Sequence, residues 1–261
     1  MDFFDDDMRT YIEPSDEMKF YRATHPLPPK LIYSPFVRPE LQEREGRSFK
    51  ELPRLYQGTH LYCIDGRVLF FQGVIGAPAT GIFLEELIAL GITEIIFLGL
   101  AGAIQDLNIG DRLIPTEAVR FEGTSFHYLP ASSPSLPSKV LTHDLDLFFR
   151  GKEIPITMGK ICSTDAPFRE TFKVIEKLRE NQVLAIEMEV SAVFAIATFR
   201  KVEAAAVLVI SDELKDEKWS RFQSNIFTEI YTSSFDFLLE FFCQGNSELG
   251  FSLGDTKKLK E

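Results

Sequence analysis

The sequence has few cysteines, no long hydrophobic run and a deficit of basic residues. Its three cysteines are widely spaced and form no C-x-x-C pair: Cys63, Cys162 and Cys243. This usage is typical of a reducing compartment and predicts neither a disulfide framework nor a zinc site. No apolar run approaches the ~18 residues that a membrane span needs, and the acidic start lacks the features of a secretory signal. We therefore expect a cytoplasmic protein that binds no metal and no membrane.

Acidic residues outnumber basic residues by 39 to 28, which gives a formal net charge of -11 at pH 7. This balance disfavours nucleic acid and anionic membranes as partners. It leaves room for a small anionic substrate, because a local group of arginines can outweigh distant charges that salt screens. The sequence also lacks G-x-x-x-x-G-K-[ST], G-x-G-x-x-G and H-E-x-x-H, so it shows no P-loop, dinucleotide fingerprint or zinc-protease motif.

Hydrophobic residues make up 45% of the 261 residues, which is enough to form a packed core. Helical and strand patterns alternate along most of the chain, and no repeat or flexible linker divides it. We predict a single α/β domain over residues 1–261. It begins with an acidic extension at 1–29 and ends in a polar tail at 250–261.

Local patterns predict most of the elements. We expect strands at 30–33, 94–99 and 204–210, and a hairpin at 61–71 around Asp65-Gly66, a pair that suits a type I′ turn. Other expectations are a helix and loop within 37–55, a helix at 80–90, a small-residue turn at 100–104, short strands at 111–114 and 117–121, an edge strand at 154–161, and helices at 141–150, 168–180 and 222–242. The last helix has more apolar surface than one stripe needs, so it either covers a subunit interface or is internal.

The stretch Ala185–Leu214 organises the chain. Its pattern predicts a helix that opens with Glu187 and Glu189, followed by a buried strand and then Asp212. One interpretation is purely structural, because acidic residues favour a first helical turn and polar residues favour strand ends. The other is functional, because ligands in open α/β sheets bind outside the carboxyl ends of the strands. Spacing alone leaves both interpretations open.

Four sequence blocks occur in a fixed order. They are G-L-A-G-A-I-Q-D-L-N-I-G-D at 99–111, E-G-T-S-F-H-Y-L-P at 122–130, S-T-D-A-P-F-R-E-T at 163–171, and E-M-E-V-S-A-V-F-A-I-A at 187–197 followed by V-I-S-D-E-L. In this order they resemble the nucleoside phosphorylase family, which includes uridine phosphorylase, hexameric purine nucleoside phosphorylase and the methylthioadenosine nucleosidases. The resemblance covers about residues 60–215. It implies a three-layer α/β/α sandwich around a mixed, twisted central sheet, assembled as a homo-oligomer, a dimer or a hexamer.

The resemblance implies cleavage of a nucleoside N-glycosidic bond. Glu189 would hold the ribose hydroxyls, Met188 would pack on the sugar, and Glu187 and Ser211 would belong to the substrate site. Asp212 would protonate purine N7, or hydrogen-bond there, as the general acid, a role that requires a buried carboxyl group. The uridine-specific branch lacks this aspartate as a rule, so Asp212 favours a purine over a uridine-like base.

The block at 163–171 would lie over the base. By the same resemblance, Phe168 would offer a ring for stacking and Arg169 would contact a carbonyl oxygen. His127 would form part of the pocket wall. For each aromatic or histidine residue the structural alternative stays open, since a helix-start phenylalanine is often a core residue and a single histidine is more often structural than catalytic.

The phosphate site departs from the family pattern. Phosphorylases of the family carry an arginine two residues before the first glycine of the 99–111 block and a serine or threonine after it. Here Phe97 and Leu100 occupy those positions, and a phenylalanine cannot bind phosphate. The remaining candidates for the phosphate site are Arg38, Arg54, Gly76, Ala101 and Gly102.

Three functions therefore stay open at this point. The preferred one is a pentosyltransferase, a nucleoside phosphorylase that uses inorganic phosphate as co-substrate and no other cofactor. The second is a nucleosidase that uses water. The third is a nucleoside-binding protein of the same fold that has lost turnover.

Overall fold

A mixed β-sheet flanked by helices forms the body of the molecule. The computed structural model describes residues 3–7, 10–36, 46–215, 218–221 and 225–244. The strands are β1 (Lys30–Ser34), β2 (Phe49–Leu52), β3 (His60–Ile64), β4 (Val68–Gln72), β5 (Glu94–Ala103), β6 (Arg112–Phe121), β7 (Thr157–Thr164), β8 (Val183–Glu187), β9 (Glu203–Lys215) and β10 (Lys218–Arg221). The helices are α1 (Pro14–Glu17), α2 (Lys19–Thr24), α3 (Ala77–Ala89), α4 (Lys139–Gly151), α5 (Phe172–Glu180), α6 (Val190–Arg200) and α7 (Asn225–Gln244). Short 3₁₀ turns occupy Thr124–His127 and Pro167–Arg169.

The strand order is β10-β9-β6-β7-β8-β5-β1-β4-β3-β2, with a further pairing between β9 and β5. Five strands therefore close on themselves in the ring β5-β9-β6-β7-β8. Parallel pairs such as β5–β9 and antiparallel pairs such as β5–β8 occur in the same sheet. The ring brings the C-terminal parts of β5, β8 and β9 together, and seven of the predicted site residues lie at this junction.

Successive residues of the central strands face opposite layers of helices. Leu31 and Tyr33 of β1 pack in the core on the side of α3 and α6, whereas Ile32 packs in the core on the side of α4 and α7. The period of two along a strand explains this alternation, because both faces of the sheet are covered. Helix α5 packs on β7 and β8 in a third, smaller cluster. The predicted layered α/β fold is confirmed.

The hairpin predicted around Asp65-Gly66 is present between β3 and β4. The two strands pair antiparallel from His60 opposite Gln72 to Ile64 opposite Val68. Both turn residues have positive φ, 51° at Asp65 and 66° at Gly66, as a type I′ turn requires. A local signal of two residues was sufficient here because the turn fixes the register of the strands.

Several predicted element boundaries were wrong. β5 continues through the small residues 100–103, where a turn was predicted, because β8 and β9 supply partners on both sides. β7 lies inside the sheet rather than at its edge, since Pro155 precedes the strand and removes no ladder hydrogen bond. The two short strands predicted at 111–121 are one strand, β6, with a register shift between Pro115 and Glu117. Residues 49–52, expected in a helix or loop, form β2, and residues 37–45 lie outside the described part.

β8 was missed by the sequence analysis, which began a helix at Glu187. The strand has five residues and ends at Glu187, so this glutamate belongs to a strand end and α6 begins three residues later. β8 is held by parallel pairing with β7 and antiparallel pairing with β5. Such long-range pairing leaves no local signal in a segment this short.

The closing helix α7 packs its apolar residues against the sheet. Phe235, Leu238, Leu239 and Phe242 are buried within this chain, and the Phe235 ring meets Phe70 of β4 edge-on at 5.0 Å. This agrees with the internal alternative for these residues. Phe222 lies outside the described residues, as does the Phe227 side chain, and the homo-oligomer stays a prediction. In the part of the chain that the structure describes, no helix is both long and apolar enough to cross a membrane.

Candidate active site

A cavity of about 390 Å³ lies where β5, β8 and β9 meet. Its lining includes seven of the predicted site residues: Glu187, Met188, Glu189, Ser211, Asp212, Ala101 and Gly102. Strand register explains this grouping. Gly102 of β5 is paired with Ile186 of β8 on one side and with Asp212 of β9 on the other. Residues at the end of β8 and inside β9 therefore face the same space. The predicted end of the strand at 210 was wrong, because β9 continues through Asp212 to Lys215 by pairing with β5 and β10.

The position of Gly102 has no room for a side chain. A Cβ atom built at this position would lie 2.9 Å from Asp212 Oδ2 and 3.2 Å from Leu214 Cδ1. The first distance is shorter than side chains tolerate, so a larger residue would displace the carboxyl group. The register of β5 and β9 shifts between Ala101 and Gly102, which is where the strand passes Asp212. Gly102 thus leaves room for the Asp212 side chain.

Glu187 is a buried carboxylate whose oxygens are used within the protein. Oε2 accepts hydrogen bonds from the backbone N–H groups of Glu189 at 2.7 Å and Val190 at 2.8 Å, at the start of α6. Oε1 accepts from the Ser163 hydroxyl, which itself accepts from the backbone N–H of Ser191 at 2.8 Å. Glu187 therefore caps the helix that carries Glu189. The sequence analysis placed it among the substrate-binding residues, and that role stays a prediction.

Glu189 is also buried, and it lies at the N-terminal boundary of α6. Its Oε1 accepts a hydrogen bond from the backbone N–H of Gly76 at 2.5 Å. Gly76 has a φ of 110°, a conformation that L side chains rarely adopt, so glycine is required for this approach. The contact ties the segment before α3 to the segment before α6, and it uses the N–H of a residue predicted to bind phosphate.

Burial raises the pKa of both carboxyl groups. For Glu187 burial is the largest cause, the neighbouring Glu189 carboxylate adds to it, and hydrogen bonds from Ser163 and the two backbone groups offset part of the increase. For Glu189 burial again raises the pKa, while backbone N–H groups of Gly76 and Met188 lower it in part. Two buried carboxyl groups so close to each other resist simultaneous ionisation, so the pair titrates as a unit.

Asp212 is partly buried, and both of its oxygens accept hydrogen bonds. The Ser211 hydroxyl donates to Oδ1 at 2.6 Å, and the indole N–H of Trp219 donates to Oδ2 at 2.8 Å. Trp219 lies on β10, which pairs antiparallel with β9. Trp219 was not among the predicted site residues, because its approach to Asp212 depends on this pairing rather than on any motif.

Glu170 lines the cavity although it was not among the predicted site residues, and it lies in the S-T-D-A-P-F-R-E-T block. It lines the cavity together with Pro167. Burial raises the pKa of Glu170 to about 7, and the nearby Asp212 carboxylate adds to this increase. Its position two residues before α5 brings a further carboxyl group to the side of Asp212.

Other predicted site residues lie away from this lining. Phe168 is 95% exposed on the 3₁₀ turn, and Arg169 beside it is exposed. His127 is exposed and its ring contacts Phe3, with centroids 5.1 Å apart. Pro167 and Glu170 of the same block line the cavity instead. The roles of Phe168, Arg169 and His127 toward the base stay predictions.

Of the two predicted phosphate arginines, the structure describes only Arg54, which is not in the cavity lining. Arg54 is exposed and its guanidinium lies 3.7 Å from Glu51, and Arg38 lies outside the described residues. Phe97 is fully buried in the core, where its ring stacks on Tyr33 with centroids 5.7 Å apart. Leu100 lines the cavity. Within the described lining there is no lysine, arginine or histidine, whereas Glu170, Glu187, Glu189 and Asp212 are all acidic.

Comparison with known proteins agrees with this architecture. The model of the phosphorylase superfamily matches residues 33–241. A guanosine phosphorylase of Halorubrum lacusprofundi is 31% identical over 172 residues, which cover 65% of this chain and 68% of that protein.

Two solved structures show the same fold. A purine nucleoside phosphorylase of Toxoplasma gondii in complex with immucillin-H superposes with a TM-score of 0.75 at 19% identity, covering 91% of this chain and 98% of that chain. An AMP nucleosidase of Bacteroides thetaiotaomicron superposes with a TM-score of 0.69 at 22% identity, covering 86% and 97%. Taken with the family match, the fold and the cavity show that the chain is an enzyme of the phosphorylase superfamily.

Proposed function

We propose that this enzyme cleaves the N-glycosidic bond of a purine ribonucleoside and transfers the ribosyl group to inorganic phosphate. The observation that supports this most is the arrival of Glu189 and Asp212 at one cavity from two different elements. The reaction needs two such groups, one at the sugar and one at the base. The similarity to a guanosine phosphorylase supports a purine as the base.

Glu189 is suited to the sugar. Breaking the bond between C1′ and the base nitrogen leaves positive charge on the ribose, and a carboxylate beside the ribose hydroxyls stabilises that charge. The hydrogen bond from Gly76 to Oε1 leaves Oε2 for a ribose hydroxyl. Met188 lies next to Glu189 in the lining and offers an apolar surface to the sugar ring.

Asp212 is suited to the base. As the C1′–N9 bond breaks, its electron pair moves onto the purine, and a proton delivered to N7 neutralises the departing base. Asp212 supplies that proton, a phosphate oxygen forms the new bond to C1′, and the products are free purine and ribose 1-phosphate. General acid catalysis of this kind contributes about 10²–10⁴-fold to the rate.

Hydrolysis is the second candidate, and the acidic lining favours it. An attacking phosphate dianion needs cationic side chains or free backbone N–H groups. The described lining has four carboxyl groups and no basic side chain, and the Gly76 N–H donates to Glu189. Water as the acceptor needs none of these groups. Arg38, which lies outside the described residues, stays a candidate for the phosphate site.

The experiment that separates these candidates is an assay of base release from guanosine, inosine and uridine, each with and without phosphate. Release that requires phosphate and yields ribose 1-phosphate supports the proposal. Equal release of base and ribose without phosphate supports the hydrolase. Binding of guanosine without release in either condition contradicts both.

The variants Asp212→Asn and Glu189→Ala locate the activity in this cavity. A partly buried aspartate on α4 provides the control, because Asp146→Asn removes a carboxylate that is not in the cavity lining and pairs with Arg150 of the same helix. Loss of activity in the first two variants and full activity in the control supports the assigned site. Full purine turnover in Asp212→Asn would contradict the general-acid role.

A further inference from the structure

The β9–β10 hairpin brings the only tryptophan of the sequence to the candidate general acid. Trp219 donates its indole N–H to Asp212 Oδ2 at 2.8 Å, although its side chain is 55% exposed. The polar atom of this tryptophan therefore lies against a carboxylate that lines the cavity. The contact therefore bears directly on how Asp212 can act as a general acid.

Strand pairing explains how Trp219 reaches Asp212. Across the hairpin, Arg221 is paired with Asp212, and Trp219 is paired with Leu214. Trp219 is thus the diagonal neighbour of Asp212, two residues from its direct partner and on the same face of the pair. Diagonal neighbours in antiparallel strands are within reach of aromatic side chains. The position of Trp219 next to Asp212 follows from this strand pairing.

The two donors on Asp212 differ in what they can do. An indole N–H can only donate, because the nitrogen has no acceptor lone pair in the plane of the ring, whereas a serine hydroxyl can donate or accept. Oδ2 is therefore held as an acceptor by Trp219 whether or not the carboxyl group carries a proton. The proton is compatible with Oδ1, because the Ser211 hydroxyl beside it can change its role.

The surroundings increase the need for such an anchor. Glu170 lies close enough to Asp212 for their charges to repel, and Gly102, which lies beside Oδ2, has no side chain that could hold the carboxyl group. Without a second donor, the carboxyl group is free to rotate away from Glu170. Trp219 and Ser211 together fix its plane by holding one oxygen each.

We propose that Trp219 is a positioning residue for Asp212: its N–H holds Oδ2 and makes Oδ1 the oxygen that carries the proton to purine N7. This inference rests on the proposed function. In the reaction, Trp219 keeps its own proton, Asp212 Oδ1 gives its proton to N7, and the electron pair of the C1′–N9 bond goes to the purine. The effect of Trp219 is thus confined to substrates whose base must be protonated.

The kinetic test compares Trp219→Phe with the wild type on guanosine and on 7-methylguanosine. The methylated base already carries a positive charge at the imidazole ring and leaves without a proton from the enzyme. With guanosine we expect kcat to fall about 10-fold and KM to change less than about twofold, because the general acid remains but is no longer oriented. With 7-methylguanosine we expect the wild-type rate. Ser220→Ala, on the same strand, is the control and should behave as the wild type on both.

A loss of equal size on both nucleosides, or on neither, overturns the positioning role while leaving the proposed function intact. Failure of the wild type to release base from either nucleoside overturns the proposed function, and the role of Trp219 with it. The two results are distinguishable because the first requires an active wild-type enzyme.

A spectroscopic test reads the contact independently of turnover. Because the sequence has one tryptophan, protein labelled with ¹⁵N-tryptophan gives one indole N–H resonance. We expect this resonance to shift in Asp212→Ala, which removes the acceptor, and to keep its wild-type position in Ser220→Ala. An unchanged resonance in Asp212→Ala means that the hydrogen bond does not exist in solution and overturns the inference.

Discussion

The buried carboxyl group of Glu187 makes the stability of the protein depend on pH. Folding raises the pKa of Glu187, chiefly through burial, from an ordinary value of 4.5. A group with a raised pKa binds more protons in the folded state than in the unfolded state over the interval between the two values. The folded state therefore loses stability as pH rises from about 4.5 to the raised value. One proton corresponds to a slope of about 1.4 kcal/mol per pH unit.

The substitution Glu187→Gln tests this directly. The amide oxygen of glutamine can accept from the N–H groups of Glu189 and Val190, and its NH₂ group can donate to the Ser163 oxygen. Ser163 then loses the acceptor for its own hydroxyl, which costs about 1 kcal/mol at every pH. In return, the variant buries no ionisable group at this position. We expect it to be about 1 kcal/mol less stable than the wild type near pH 5, and more stable near pH 8.

The assay is urea unfolding of both proteins at a series of pH values, with the difference in free energy of unfolding plotted against pH. Glu187→Ala is the companion variant: it removes the ionisable group as well as the helix cap, so its curve should run parallel to that of Glu187→Gln but lower. Each buried N–H left without an acceptor contributes about 1–3 kcal/mol to that offset. A difference between wild type and Glu187→Gln that stays constant with pH would refute the reasoning, because it would mean that folding does not change the protonation of Glu187.

Local chemistry in the sequence predicted the parts of the fold that depend on neighbouring residues. The Asp65-Gly66 hairpin and the apolar strand before Ser211 are of this kind. The motif blocks also led to Glu189 and Asp212, and the structure places both at one cavity. Their spacing alone is equally compatible with ordinary helix-capping and strand residues. They meet because β5 pairs with both β8 and β9.

Long-range pairing produced the features that the sequence could not show. β8 is too short to carry its own pattern, so Glu187 was assigned to a helix although it ends a strand. Trp219 reaches Asp212 only through the β9–β10 pairing. Phe168 is exposed on its 3₁₀ turn, and Glu170 of the same block lines the cavity, while the role of Phe168 toward the base stays a prediction. In each case the decisive contact joins elements that no local pattern connects.

Three further predictions concern the cavity. Asp212→Asn should lower kcat on guanosine by about 10²–10⁴-fold and leave 7-methylguanosine at the wild-type rate, measured as base release, because it removes the proton donor and keeps the shape; equal losses on both would contradict the general-acid role. Glu189→Ala should lower kcat/KM for guanosine and for any pyrimidine ribonucleoside that the wild type cleaves by a similar factor, since it removes the contact to the sugar whatever the base; a loss confined to one base would contradict that role. Gly102→Ala should lower kcat on guanosine by about 10-fold, because the added Cβ would lie 2.9 Å from Asp212 Oδ2 and push the carboxyl group away from the position that Trp219 and Ser211 hold. If the same variant cleaves 7-methylguanosine at the wild-type rate, the cavity itself is intact. An unchanged rate on guanosine would mean that the position of Asp212 does not limit catalysis.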